Sequence, residues 1–345
     1  MKPTKRPPPM HAIREFQRML AEKKQKQAFN KAHFGNITLG SHVVTPWGRL
    51  VVVCGRTYNV GENDCKTFPE FISIHLVEVL GREWWNAEFQ KPKDQQHFLI
   101  DWGSRFFDWR DSHDYSPKNP IPDGAVAEWL GLAFDIYVLK HLDRYKNEIV
   151  HRMIVDSYPG ARFELAVAAT ILRAGFDIEH HNEKVFPHIE FFAIHKETGQ
   201  RIAVEAKTKC RPGVLGCTKE RRQKESLRLH SKANEALKKN PRMPFVVFIE
   251  ANLPYTENLM DSKWPKEIVG TCNKLEAEHK PFPANIIFFI NDPSHYNVNE
   301  PLRNQFWVQG MVAEHPKFPM TDPVNIYQQI DMAIRQGLNI PWDFE

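Results

Sequence analysis

The chain has 345 residues, 42% of them hydrophobic and 26% charged, with a formal net charge of +4. That length suits two domains, and that balance suits a soluble globular protein with a substantial core. The basic, proline-rich start lacks the apolar core of a signal peptide, and the longest apolar runs are too short to cross a bilayer. Five scattered cysteines, an odd number, exclude a disulfide framework, and Cys210 and Cys217 read as reduced thiols. The expected setting is the cytoplasm, with no membrane partner.

Residues 1–33 form a basic segment, with nine Lys/Arg against two Glu up to Lys31. Within it residues 11–31 can form a helix, expected to fray without a partner. Short β-branched runs follow over 37–60, notably Leu50 to Val53, with a turn at Pro46, Trp47 and Gly48. Helical periodicity marks 68–89, where Phe71, Ile74, Leu76, Val77 and Leu80 form a stripe closed by Gly81. A second helix is expected over 126–142, carrying Trp129, Leu130, Ala133, Phe134, Tyr137 and Val138 on one face. Trp84, Trp85, Trp102, Trp109 and Trp129 crowd this half, and aromatics at helical spacing are more often core than ligand platform. Residues 34–150 thus read as a mainly helical, aromatic-rich accessory domain with a few short strands. It carries no chemical motif and is a candidate surface for a protein partner or a homo-oligomer.

Residues 151–345 change character. A helix is expected over 161–174, stopped by Gly175, then strands over 185–194 and 201–207 joined by the polar loop 196–199. A long basic helix is expected over 218–239. The apolar runs 245–251 and 285–290 read as buried strands of the same sheet. The order makes a mixed α/β domain.

Three features of this half are costly for a purely structural domain. Glu164 lies among Ala161, Val167, Ala168 and Ile171 at helical spacing, so its carboxylate tends toward burial, although a favourable interaction with the helix dipole is the bland alternative. Glu205 and Lys207 share one face of a strand with Ala203, while Ile202, Val204 and Ala206 take the other. A four-residue loop over 196–199 pairs His195 with Gln200 and therefore sets Glu190 opposite Glu205. Like charges facing across strands destabilise a sheet, and a divalent cation between them reverses the sign. His188, one step earlier on the face of Glu190, is an additional candidate ligand, with an ordinary polar strand residue as the alternative.

Between Lys207 and Arg242 twelve Lys/Arg face three Glu. This concentration is the footprint of polyphosphate binding, and its position just after Lys207 favours that over a merely solvated face. The candidate phosphate contacts are Lys209, Arg211, Lys219, Arg221, Arg222, Lys224, Arg228 and Lys232, and Gln223 and Lys232 are lesser candidates for the catalytic site itself.

A glutamate on a first helix (Gly160-Ala161-Arg162-Phe163-Glu164), an acid on a second strand (Phe186-Pro187-His188-Ile189-Glu190-Phe191) and Glu-x-Lys on a third (Val204-Glu205-Ala206-Lys207) resemble the PD-(D/E)XK nuclease superfamily. The likeness covers somewhat under half of the chain and rests on the order and spacing of these motifs together. It implies a restriction-endonuclease-like α/β core with a mixed sheet and hydrolysis of nucleic-acid phosphodiesters, DNA ahead of RNA, in defence, restriction or repair. It also implies Mg²⁺, with Mn²⁺ as a substitute, on Glu164, Glu190 and Glu205. Lys207 would position water or neutralise developing charge. One position departs from the family pattern: Pro187 is followed by His188 where the family usually has Asp, and the acid is Glu190. The alternative is a catalytically silent relative that binds nucleic acid or scaffolds a complex.

Overall fold

The structure is a computed structural model describing residues 10–37, 41–45, 48–53, 56–60, 65, 67–112, 123–179, 189–209, 228–254, 264–296 and 306–342. Its elements follow from local sequence. The basic segment contains α1 (Met10–Phe34), and the β-branched runs form an antiparallel meander of β1 (Ser41–Thr45), β2 (Gly48–Val53) and β3 (Arg56–Val60). The periodic stretch 68–89 is two helices, α2 (Phe68–Leu80) and α3 (Arg82–Phe89), because Gly81 takes φ 97° and ends the first. Thr67 and Glu70 cap α2 reciprocally through a capping box. There follow α4 (Phe98–Ser112), α5 (Gly124–Val138), α6 (Asp143–Val155) and α7 (Tyr158–Arg173). Helices α6 and α7 are joined by only two residues, Asp156 and Ser157.

Gly175, at φ 92°, turns the chain from α7 into β4 (Phe176–Glu179). Then come β5 (Phe191–His195), β6 (Arg201–Thr208), α8 (Leu229–Leu237), β7 (Phe245–Glu250), α9 (Trp264–Glu278), β8 (Ile286–Asn291), β9 (Trp307–Val312) and α10 (Pro323–Gln336). One six-stranded mixed sheet runs β4-β5-β6-β7-β8-β9 in chain order. The β4–β5, β5–β6 and β8–β9 pairs are antiparallel, and β6–β7 and β7–β8 are parallel. Every residue of β7 and β8 is buried, as continuous apolar runs require when helices cover both faces.

Val204, Phe248 and Phe288 pack on one face with α7, α10 and the N-terminal helices. Ala203, Val247 and Ile287 pack on the other with α8 and α9. The helical region expected over 34–150 and the α/β region expected over 151–345 share one apolar core, continuous from Val51 to Ile334.

Two expectations are seen only in part among the described residues. Of the helix expected over 218–239 the described part is α8, ahead of which Arg228 takes φ 52°, a left-handed conformation outside the α-helix, and residues 210–227 lie outside those described. Of the strand expected over 185–194 the described part is β5, with Ile189 and Glu190 outside the strand and 180–188 outside the described residues.

The shared core contains an ionic cluster. Asp135 on α5 accepts from Arg162 Nη1 at 2.8 Å and from Arg173 Nη1 at 3.0 Å, both on α7, and all three are buried. Removing Asp135 takes the counter-charge from Arg173 and leaves Arg162 only the more distant Glu128, 3.7 Å away. Asp135→Ala should therefore cost about 3–5 kcal/mol in denaturant unfolding. A loss below about 1 kcal/mol would show that other groups balance the arginines.

Candidate functional site

The β5–β6 hairpin sets the first pair of acids. Its register, Phe191↔Val204, Phe192↔Ala203, Ala193↔Ile202 and Ile194↔Arg201, is the one expected from a loop over 196–199. His195 N–H donates to Gln200 O at 2.9 Å, closing the loop. Beyond Phe191 the regular pairing ends: the Glu190 N–H donates to Val204 O at 3.1 Å, one residue off the strand register. Glu190 is therefore not the ladder partner of Glu205 that the loop arithmetic expects, and the two acids meet instead at Lys207 Nζ. Strand alternation puts Ala203 with the α8 and α9 side and Ile202, Val204 and Ala206 with the α7 side, as expected.

Glu205 is fully buried, and its Oε2 has no hydrogen-bond partner. Its Oε1 is in close ionic contact with Lys207 Nζ at 2.5 Å, and Lys239 Nζ lies farther off at 3.7 Å. Lys207 Nζ is also 3.8 Å from Glu190 Oε1. Glu164 comes from α7 and is 5% exposed. Its Oε1 accepts from Tyr145 Oη at 3.1 Å and its Oε2 from Arg152 Nη2 at 2.5 Å, both on α6.

Three carboxylates thus meet three cations. Burial and the neighbouring Glu190 push the Glu164 carboxyl up to about 7, against the pull of Arg152 and Tyr145. Burial and then Glu205 raise the Glu190 carboxyl. Burial raises that of Glu205, with Lys207 and Lys239 pulling it back. For Lys207, burial alone favours the neutral amine, but the Glu205 and Glu190 charges hold the group above its ordinary value.

The structure brings Glu164, Glu190, Glu205 and Lys207 together. Of the expected phosphate contacts, Lys209 is half-buried at the end of β6, Arg228 is exposed ahead of α8, and Lys232 pairs with Glu235 at 3.0 Å. Arg211, Lys219, Arg221, Arg222 and Lys224 lie outside the described residues, as do Gln223 and His188. Tyr145, Arg152 and Lys239 are site residues that the sequence did not single out. Tyr145 and Arg152 precede Glu164 on another helix, and only the tight α6–α7 turn reveals the contact. Lys239 stands out in the sequence only as one of the twelve basic residues.

Among the described residues, no three His, Cys, Asp or Glu side chains form a group ready to hold a metal ion. The donor chemistry nonetheless fits an oxygen-loving cation, because the buried Oε2 of Glu205 lacks a hydrogen bond and Glu190 shares Lys207 with it. Among the described residues, no helix is long and apolar enough to cross a membrane. Comparison of the chain with known protein families, with curated proteins and with solved structures finds no match in any of the three.

The Glu164 carboxyl has a folded-state value above the unfolded one of about 4.5. Its stabilising contribution is therefore complete below about 4.5 and is lost as pH rises through about 7. Relative to Glu164→Gln, the metal-free wild type should lose on the order of 3 kcal/mol across that window. Urea midpoints for both proteins between pH 4.5 and 8 check this; parallel curves would show that Glu164 does not titrate there.

Proposed function

We propose that the chain is a metal-dependent nuclease of PD-(D/E)XK type, acting on nucleic-acid phosphodiesters, DNA ahead of RNA. The observation that carries the reading is the convergence of Glu190 and a fully buried Glu205 on Lys207, whose Nζ lies within 4 Å of both. The topology supports it, since the glutamate-bearing helix α7 is followed by three consecutive strands, the acid leading the second and Glu-x-Lys lying on the third. In this reading β4 is the first strand of a restriction-endonuclease-like sheet.

Glu190 and Glu205 would hold Mg²⁺ or Mn²⁺ with Glu164 in support, and the ion would supply water activation and charge neutralisation at the phosphate. The chain's own groups have separate tasks. Tyr145 and Arg152 fix the Glu164 carboxylate from α6. Lys207 offers an ammonium to the attacking water or to the charge gathering on the phosphoryl oxygens. Lys209, Arg228 and Lys232 lie on the elements that follow and supply backbone-phosphate contacts. In this reading the protein acts in the cytoplasm, in defence, restriction or repair.

A second reading, a silent nuclease-like domain that binds nucleic acid, is favoured by one observation. The three acids are already matched by Arg152, Lys207 and Lys239.

Incubation with plasmid, linear duplex, single-stranded DNA and RNA in Mg²⁺, Mn²⁺ or EDTA separates the two. The wild type should cleave in metal and not in EDTA, and Glu205→Ala should abolish cleavage. Lys207→Ala should still retard DNA in a gel while turning over at least about 100-fold more slowly. Full cleavage by Glu205→Ala, or in excess EDTA, would overturn the mechanism.

A further inference from the structure

The acids of this site already have company. Each cation within 4 Å of a Glu164 or Glu205 oxygen sits where the field of an incoming divalent ion would be strongest. Entry of such an ion therefore requires at least one cation to withdraw. The three differ in how firmly they are held.

Arg152 is hydrogen-bonded to Glu164 at 2.5 Å and belongs to α6, away from the Glu205 oxygens. Lys207 springs from the same strand as Glu205, lies 2.5 Å from it, and keeps only 18% of its side chain exposed. Lys239 reaches Glu205 from just beyond the end of α8, at 3.7 Å, outside hydrogen-bond range, with 26% of its side chain exposed. Its backbone is fixed, the N–H donating to Ala236 O at 3.0 Å, and the next residue, Asn240, turns the chain at φ 40°. The four-carbon stem can therefore swing outward without moving the fold.

We propose that Lys239 is a displaceable counter-cation of this site. It neutralises Glu205 in the metal-free protein, withdraws when a divalent ion binds, and then faces solvent. The inference rests on the metal-centre reading and assigns a positioning role to a residue outside the Glu-x-Lys motif. Its consequence has an unusual sign: removing a positive side chain strengthens binding of a positive ion.

The test measures Mn²⁺ binding alone, by calorimetry or by loss of the free-ion paramagnetic signal, with no nucleic acid present. Lys239→Gln should bind Mn²⁺ about 3- to 10-fold more tightly than wild type, the scale of one partly screened charge. Lys239→Arg should return to wild-type affinity. Lys238→Gln removes the same charge from the neighbouring exposed position and should change nothing. Equal or weaker binding by Lys239→Gln, with wild type binding normally, overturns this inference and leaves the metal centre standing. An equal gain in Lys238→Gln also overturns it, since net charge and not the Glu205 contact would then be responsible. Binding by neither wild type nor Lys239→Gln removes the metal centre itself and this inference with it.

Discussion

A fully buried carboxylate with a second one gathered beside the same lysine is the constraint on which the rest of this structure depends. Glu205 sits on β6, an interior strand with helices on both faces, where an uncompensated charge costs several kcal/mol in practice (about 20 in the idealised limit). Glu190 adds repulsion instead of relief. The fold answers with positive groups from three separate elements: Arg152 on α6, Lys207 on β6 and Lys239 after α8. Helices on opposite sides of the sheet are thereby tied to one cluster of acids. An apolar residue at position 205 alone would leave Lys207 and Lys239 without their partner; only exchange of the acid and its lysines together for apolar packing is often neutral or stabilising.

The architecture places this cluster at the carboxyl end of β6, the kind of position where open α/β sheets carry their ligand sites. Strand alternation then divides the end of the sheet into two chemistries. Glu205 and Lys207 face one side. Thr208 faces the other, where its hydroxyl donates to Glu250 at the end of β7. Beyond Glu250 lies a cavity of about 100 Å³, lined by Glu128, Arg162 and Arg173 among others. Helix α7 joins the two sides, with Arg162 anchored to Asp135 and Glu164 turned toward the acids two residues later. Anchoring the arginines therefore also fixes the azimuth of α7, and with it the direction in which Glu164 points.

What was legible in the sequence follows from the range of the forces involved. The β5–β6 register could be read because a short polar loop and strict alternation fix it locally, but the arithmetic stops at Phe191, where the Glu190 N–H bonds to Val204 O one residue off the register. Burial of β7 and β8 could be read from composition alone. Strand β4 could not, since Phe176–Glu179 is too short to show a period, nor β9, where Gly310 interrupts the apolar run. The limits of α8 were hidden because Arg228 carries no propensity signal for a left-handed backbone. Tyr145, Arg152 and Lys239 were invisible for another reason. Their partners are 19, 12 and 34 residues away, and pairing at such separations is decided by helix packing. The division near residue 150 was a shift in composition, whereas the apolar core runs through it.

The active and silent readings make different demands on Glu205. In a silent domain the lysines are permanent partners, and a permanent buried ion pair is favourable only when its hydrogen bonds are complete. Here they are incomplete at one oxygen: Lys207 Nζ stands 2.5 Å from Glu205 Oε1, while Oε2 has no hydrogen-bond partner and Lys239 stays 3.7 Å from Oε1. An unmet buried acceptor costs about 1–3 kcal/mol, more when it is charged. A chain that must bind an oxygen-loving ion needs such an oxygen open until the ion arrives, with a cation near enough to tolerate the wait and loosely enough held to yield. The open Oε2 and the distant Lys239 meet that requirement, and on that ground the active reading is preferred.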